Sequence, residues 1–407
     1  MTTLHSSSPS RPTERVYAID VLRGLTILTM IFVNDLASVR GIPWWMKHMP
    51  ESADGMTFVD VVFPAFLFIV GMAIPYALDR RLQKAGSGWK LLPHILLRTA
   101  GLLILGVLMV NIHGVNAAAT GLNSETWSLS MFVSAILVWN HYDTSSAGRS
   151  RLAVILRIVG GAGILLLAAI YRAGTPDALH WLRTSWWGIL GLIGWAYLCA
   201  SLAYLIFRKN LPGLVGALGL FVLLYGADKA GAFACVRFIS DYVWIGGHIG
   251  AHASVTIAGM ILGVLLQSRS KEQVRPFIMQ ALAYGAMLAV AGFLLQPLYG
   301  INKIAATPAW GLYSAAICTA IFVLLFWLID LRGHARWFAF ASPAGANPLL
   351  AYILPDIFYA LVGIFAIPYF VPALGTGIIG IIRSLIFALV MVGITNLLTR
   401  RGIRLHL

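Results

Sequence analysis

From Ala18 onward one pattern repeats along the chain: a run of about 20 apolar residues, long enough as a helix to cross a bilayer, then a short polar loop. Few folds are open to such a chain. Backbone amides in hydrocarbon must be satisfied within the spanning structure, and only helices and closed barrels do that. Composition agrees: 59% of the 407 residues are hydrophobic, 11% are charged and mean hydropathy is +0.83, whereas a soluble domain carries about 25% charged residues. The expected class is all-α, a polytopic membrane helix bundle of about 12 transmembrane helices, with 10 to 12 compatible with the pattern.

The runs predict spans at 18–36, 58–78, 91–111, 131–142, 152–171, 186–207, 211–227, 250–266, 277–295, 309–331, 347–367 and 377–398. The fourth is too short to cross unless 125–130 extends it. Alternate loops differ in basic residues. One set, with Arg80, Arg81, Arg332 and Arg336, holds eighteen Lys and Arg including Arg11, Arg15 and Lys271; the other, with Lys47 and Lys303, holds seven. The bias places the first set and both termini in the cytoplasm. The net charge of +14 is then topology and not a nucleic-acid surface. Residues 1–14, rich in Ser and polar groups, read as a disordered cytoplasmic tail, and 15–407 as a single transmembrane domain. Cys199, Cys235 and Cys318 have no paired spacing and read as packing residues.

Chemistry concentrates in 15–78. The first apolar run carries Asp20, Arg23 and Asn34, the second carries Asp60, and the loop between them holds His48. Ionisable groups at membrane depth are costly and mark functional sites by default. Asp20 and Arg23, at i, i+3, can neutralise one another. Arg23 and Asn34, 11 residues apart, fall within about 20° on one helix face and roughly 16 Å apart along it. An imidazole titrating near neutrality can act as base or acyl carrier. The structural alternatives are a helix-orienting pair for Asp20–Arg23, a surface residue for His48 and an interhelical hydrogen bond for Asn34. His248 and His252 share a face at i, i+4, but no third ligand or neighbouring glutamate accompanies them, so no metal is expected.

The runs AIDVLRG, VN, a loop histidine and DVVFPAFLFIVG, with a fainter GANPLLAYILPDI at 345–357, resemble the transmembrane acetyltransferases typified by heparan-α-glucosaminide N-acetyltransferase. The resemblance covers roughly the first 80 residues. It implies acetyl-CoA or another acyl-CoA as donor, a carbohydrate acceptor, His48 as the catalytic residue and Asn34 near it. Family members carry Trp-Asn-Gly shortly after the histidine, where this chain has Glu51-Ser52-Ala53-Asp54-Gly55, a departure that bears on the acceptor.

The resulting expectation is a membrane-embedded acyltransferase of a bacterial inner membrane, with acyl-CoA, a glycan and the bilayer as partners and a homodimer permitted. His48, Asn34 and Asp60 would serve at the outer end. Asp20, Arg23, Arg80, Arg81 and Asn347 would hold CoA at the cytoplasmic end, where arginine forks suit phosphate. A secondary transporter of a small anion or sugar is the rival, since buried charges suit it equally.

Overall fold

The computed structural model describes residues 16–269, 273–369 and 374–407, and the expected tail 1–14, Arg15 and Lys271 lie outside them. Every predicted span coincides with a helix. In chain order these are α1 (Tyr17–Leu36), α2 (Phe58–Ala85), α3 (Leu92–Val110), α4 (Ser124–Trp139), α5 (Ala147–Ile170), α6 (Gly188–Phe207), α7 (Leu211–Lys229), α8 (Ile245–Ser268), α9 (Val274–Tyr299), α10 (Pro308–Leu331), α11 (Pro348–Ile364) and α12 (Gly377–Arg400). Ten are long and apolar enough to cross a membrane; α4, of 16 residues, and α11, of 17, are shorter. The fourth span gains its length at its start, where the Asn123 side chain caps α4 by accepting from the Thr126 amide.

Contacts between helix ends show that the two short helices also run the full depth of the bundle. At the end that carries His48, Gly55 bonds to Ile301, Arg40 pairs with Thr376, and Tyr225 donates to the Ala305 carbonyl. At the opposite, Arg23, end, Asp330 accepts from the Tyr17 and Ala18 amides, Asp79 accepts from Tyr204 and Gln267, and Asn140 pairs with Leu405. Helix α4 starts beside Ile112 at the His48 end and stops beside the C-terminal segment at the Arg23 end. Helix α11 starts beside Ile403 and leads into Tyr369, which reaches Asp35 at the His48 end. Alternation therefore holds over twelve passes, and both described chain ends lie at the Arg23 end.

Helix α8 is buried along nearly its whole length and packs chiefly on α2. That approach requires glycine: a Cβ added at Gly71 would collide with the Thr256 carbonyl, and one at Gly259 with that of Phe68. Small residues let helix backbones close in where lipid tails supply no hydrophobic drive between them. The same device seats the faint GANP motif, since Gly345 lies against the Asp20 carbonyl and Gly24 against that of Ala341. Helix α1 packs on α2 on one side and on the 341–346 segment on the other. Its two ends become the two ends of the candidate site.

Candidate functional site

At the start of α2, Thr57 and Asp60 form a reciprocal cap: the Thr57 hydroxyl accepts from the Val59 amide, and the Asp60 Oδ2 accepts from the Thr57 amide at 3.0 Å. The [ST]-x-x-[DE] spacing is the signature of this arrangement. Asp60, only 1% exposed, therefore sits in the first helical turn and not deeper in the span. Oδ2 also takes the Met49 amide at 3.2 Å, while Oδ1 faces His48 Nδ1 at 2.7 Å. A carboxylate accepts, so Nδ1 carries the proton and Nε2 keeps its lone pair. The His48 side chain is 41% exposed, so this nitrogen can meet a substrate.

The loop is held in place from far along the chain. The buried Asn302 amide nitrogen donates to the carbonyls of Pro50, Glu51 and Ala53 at 3.0, 3.0 and 3.1 Å, and Asp54 accepts from the Ile301 amide. Trp310, fully buried on α10, donates to the Asp60 carbonyl at 3.0 Å. The 51–55 stretch that departs from the family pattern is thus the strip clamped by the 300–307 loop. From the same loop Lys303 Nζ comes to 3.1 Å from His48 Nε2. Burial lowers its ammonium from the ordinary 10.5 to about 8, against an opposing pull from Asp60.

Asn34 lies exposed at the same end of α1, with no side-chain hydrogen bond among the described residues. Its neighbour Asp35 is the buried one, taken up by Tyr359, Tyr369, Arg383 and Ser384.

At the other end, Arg23 Nη1 lies 3.3 Å from Asp20 Oδ1 and 3.3 Å from the Gly345 carbonyl. Arg23 also lines a cavity of about 340 Å³ with Arg98, Tyr197, Phe66, Tyr352 and His406. Along α2 the cavity runs from Leu78 up to Phe66, about 18 Å at 1.5 Å per residue, which stops about 9 Å below the level of Asp60. Arg98 stacks over Tyr197, 4.6 Å from the ring centre, and its Nε is buried without a partner. Sequence reasoning passed over this residue, although a lone arginine inside an apolar run is the signal that singled out Arg23. Arg80 and Arg81 are exposed and are not among the lining residues. Asn347 is buried and committed to the chain itself: Nδ2 donates to Thr399 and the Ile403 carbonyl, and Oδ1 accepts from the Leu405 amide. It thereby presses the C-terminal Leu405, His406 and Leu407 against the cavity.

His248 and His252 stack at 6.2 Å, buried among Phe63, Trp244 and Trp310, and both Nδ1 atoms lack partners. No group of three or more potential metal ligands occurs among the described residues. Trp44 and Trp45 are exposed beside the loop, with Trp45 against Phe58.

The molecule is thus an integral membrane helix bundle with a carboxylate-oriented histidine at one end and a cavity lined by Arg23 and Arg98 toward the other. The chain belongs to the family described as Domain of unknown function (DUF5009), whose model matches residues 15–245. It is also 39% identical over 97 residues to heparan-alpha-glucosaminide N-acetyltransferase of Mus musculus and 36% identical over 97 residues to that of Homo sapiens. Each match covers 24% of this chain and 14% of the relative.

Proposed function

We propose that the chain is a membrane acyltransferase that moves an acetyl or other short acyl group from acyl-CoA, bound at the Arg23 end, to a carbohydrate acceptor at the His48 end. The observation that carries this reading is the Asp60–His48 pair: a buried carboxylate fixes the tautomer, and the free Nε2 can take the proton of an incoming hydroxyl or amine. The names of the two relatives support acetyl transfer. Arg23 and Arg98, which line the 340 Å³ cavity, supply charge for CoA phosphates, and the apolar run to Phe66 suits the pantetheine arm. Asp20 holds Arg23, Asn347 holds the cavity wall, and Arg80 with Arg81 add positive potential outside it. Asn34 is available to the acceptor. With the positive-inside bias, the Arg23 end faces the cytoplasm of a bacterial inner membrane.

The experiment is to give purified protein acetyl-CoA and a pool of cell-envelope glycans and to measure free CoA. Glycan-dependent release is expected. Transport of unmodified sugar without CoA release would replace the proposal with the transporter. Orientation is checked in a variant lacking the three native cysteines: a cysteine at Ser52 should react with an impermeant reagent in intact cells, and one at Lys84 should not.

A further inference from the structure

Resting on the acyl-transfer reading, we infer that Lys303 is a catalytic residue, an ammonium that receives the negative charge formed on the thioester oxygen while His48 takes the acceptor's proton. Lys303 comes from a loop 255 residues further along the chain, in a basic-poor set of loops, yet it too comes within hydrogen-bond distance of the His48 ring. Its Nζ lies 3.1 Å from His48 Nε2 and 3.3 Å from Nδ1. A nitrogen nearly equidistant from both ring nitrogens cannot lie on the lone-pair axis of either, because the ring's C–H edge stands between them. It stands over the ring face. Nε2 is therefore left open in the ring plane, and the ammonium, which has no hydrogen bond to any other residue among those described, can turn its protons to a substrate bound at Nε2.

The loop geometry shows that this placement is built. Asn302, one residue earlier, is 5% exposed, clamps the His48 loop through three carbonyls and uses its own oxygen on the Ala305 amide. Its neighbour cannot drift without releasing the loop. Partial burial of the Lys303 side chain strengthens its field, since charge meets charge there at lower dielectric than in water.

The step balances without further reactants. The acceptor oxygen or nitrogen bonds to the thioester carbonyl carbon as its proton passes to His48 Nε2, and the carbonyl π pair moves onto the oxygen beside Lys303. Collapse restores the C=O bond, breaks the C–S bond and sends the proton from His48 to the CoA thiolate. Asp60 stays ionised throughout and holds the imidazolium.

Two variants test this: Lys303→Met, which removes the charge, and Lys303→Arg, which keeps it at every pH. Turnover, acetyl-CoA affinity, melting temperature and the pH profile are measured beside wild type and His48→Ala. Lys303→Met is expected to lose on the order of 10² to 10³ in kcat, as for one oxyanion donor, with acetyl-CoA affinity unchanged. Wild-type rate should fall above about 8 as Lys303 deprotonates, and in Lys303→Arg that alkaline limb should move upward. The titratable groups facing Lys303 are His48 on the loop, Asp60 on α2 and, within electrostatic reach, His252 on α8, and all three are retained in both variants. Near-normal kcat in Lys303→Met, or an unmoved alkaline limb in Lys303→Arg, overturns the role of Lys303 alone. Wild type no faster than His48→Ala overturns the acyl-transfer reading and the inference with it. Should Lys303→Met fail to fold, the pH shift in Lys303→Arg still decides.

Discussion

Two carboxylates, Asp35 at the end of α1 and Asp60 at the start of α2, are buried at the same end of the bundle, and their surroundings differ in kind. Asp35 is saturated. Its Oδ1 accepts from the Tyr359 and Tyr369 hydroxyls at 2.7 and 3.0 Å, and its Oδ2 from Ser384 and Arg383 at 2.6 and 3.0 Å. The four donors come from α11, the segment after it and α12, so the carboxylate ties three elements to α1. Asp60 is satisfied on one oxygen by its own helix cap and by the loop backbone, while its other oxygen holds an imidazole that reaches solvent. A buried charge must be paired, and what its partner touches next separates a fastener from a working group.

The largest expected effects separate the pair by activity. His48→Ala should lose on the order of 10² to 10⁴ in turnover, as for a missing acid–base group, and Asp60→Asn a comparable amount because the amide no longer fixes the tautomer. Melting temperatures should move little, since the cap's backbone bonds largely remain. Asp35→Ala should do the reverse, costing about 3 to 5 kcal/mol by stranding Arg383, with kcat of the folded fraction near wild type. Equal losses of kcat in the Asp35 and Asp60 variants would erase the distinction.

The spans were legible because hydropathy reports the bilayer directly. What hydropathy cannot report is which of two adjacent polar residues faces in: Asn34 and Asp35 differ by one 100° step, and the tertiary neighbours Tyr359, Tyr369 and Arg383, which decide it, lie over 300 residues away. The Thr57-x-x-Asp60 cap was readable and places Asp60 at the helix start. Lys303 was not, because a lysine in a loop has no local pattern and its meaning comes from Asn302 clamping two loops together. The Asp20–Arg23 pair was visible in its i, i+3 spacing, but its exposure was not.

That exposure sets the next effect. The side chains of Arg23 and Asp20 are 24% and 32% exposed, so the pair is worth about 1 kcal/mol or less, well under a fully buried one. Arg23→Ala should leave the melting temperature nearly unchanged and instead weaken CoA binding, by roughly tenfold or more for a lost charge-assisted bond to phosphate. Isothermal titration with CoA reads this. A large drop in melting temperature with unchanged affinity would make Arg23 a fastener like Asp35.

The last effect is on stability alone and concerns the group beside Asp60's imidazole. Lys303 holds its proton to about 8 in the folded chain but to its ordinary 10.5 when unfolded. Between these values the unfolded chain binds a proton that the folded chain has lost, so stability rises with pH across that window and is flat below it. At neutral pH the folded protein carries the cost of a partly buried charge. Lys303→Met should therefore be more stable than wild type at pH 7 while being far less active, and the difference in melting temperature should close as pH approaches 10.5. A gap that stays constant from pH 7 to 10.5 would mean that the ammonium is not desolvated in its place over His48. A gap that closes would put a desolvated charge beside the Asp60–His48 pair, as expected where a protein gives up stability for function.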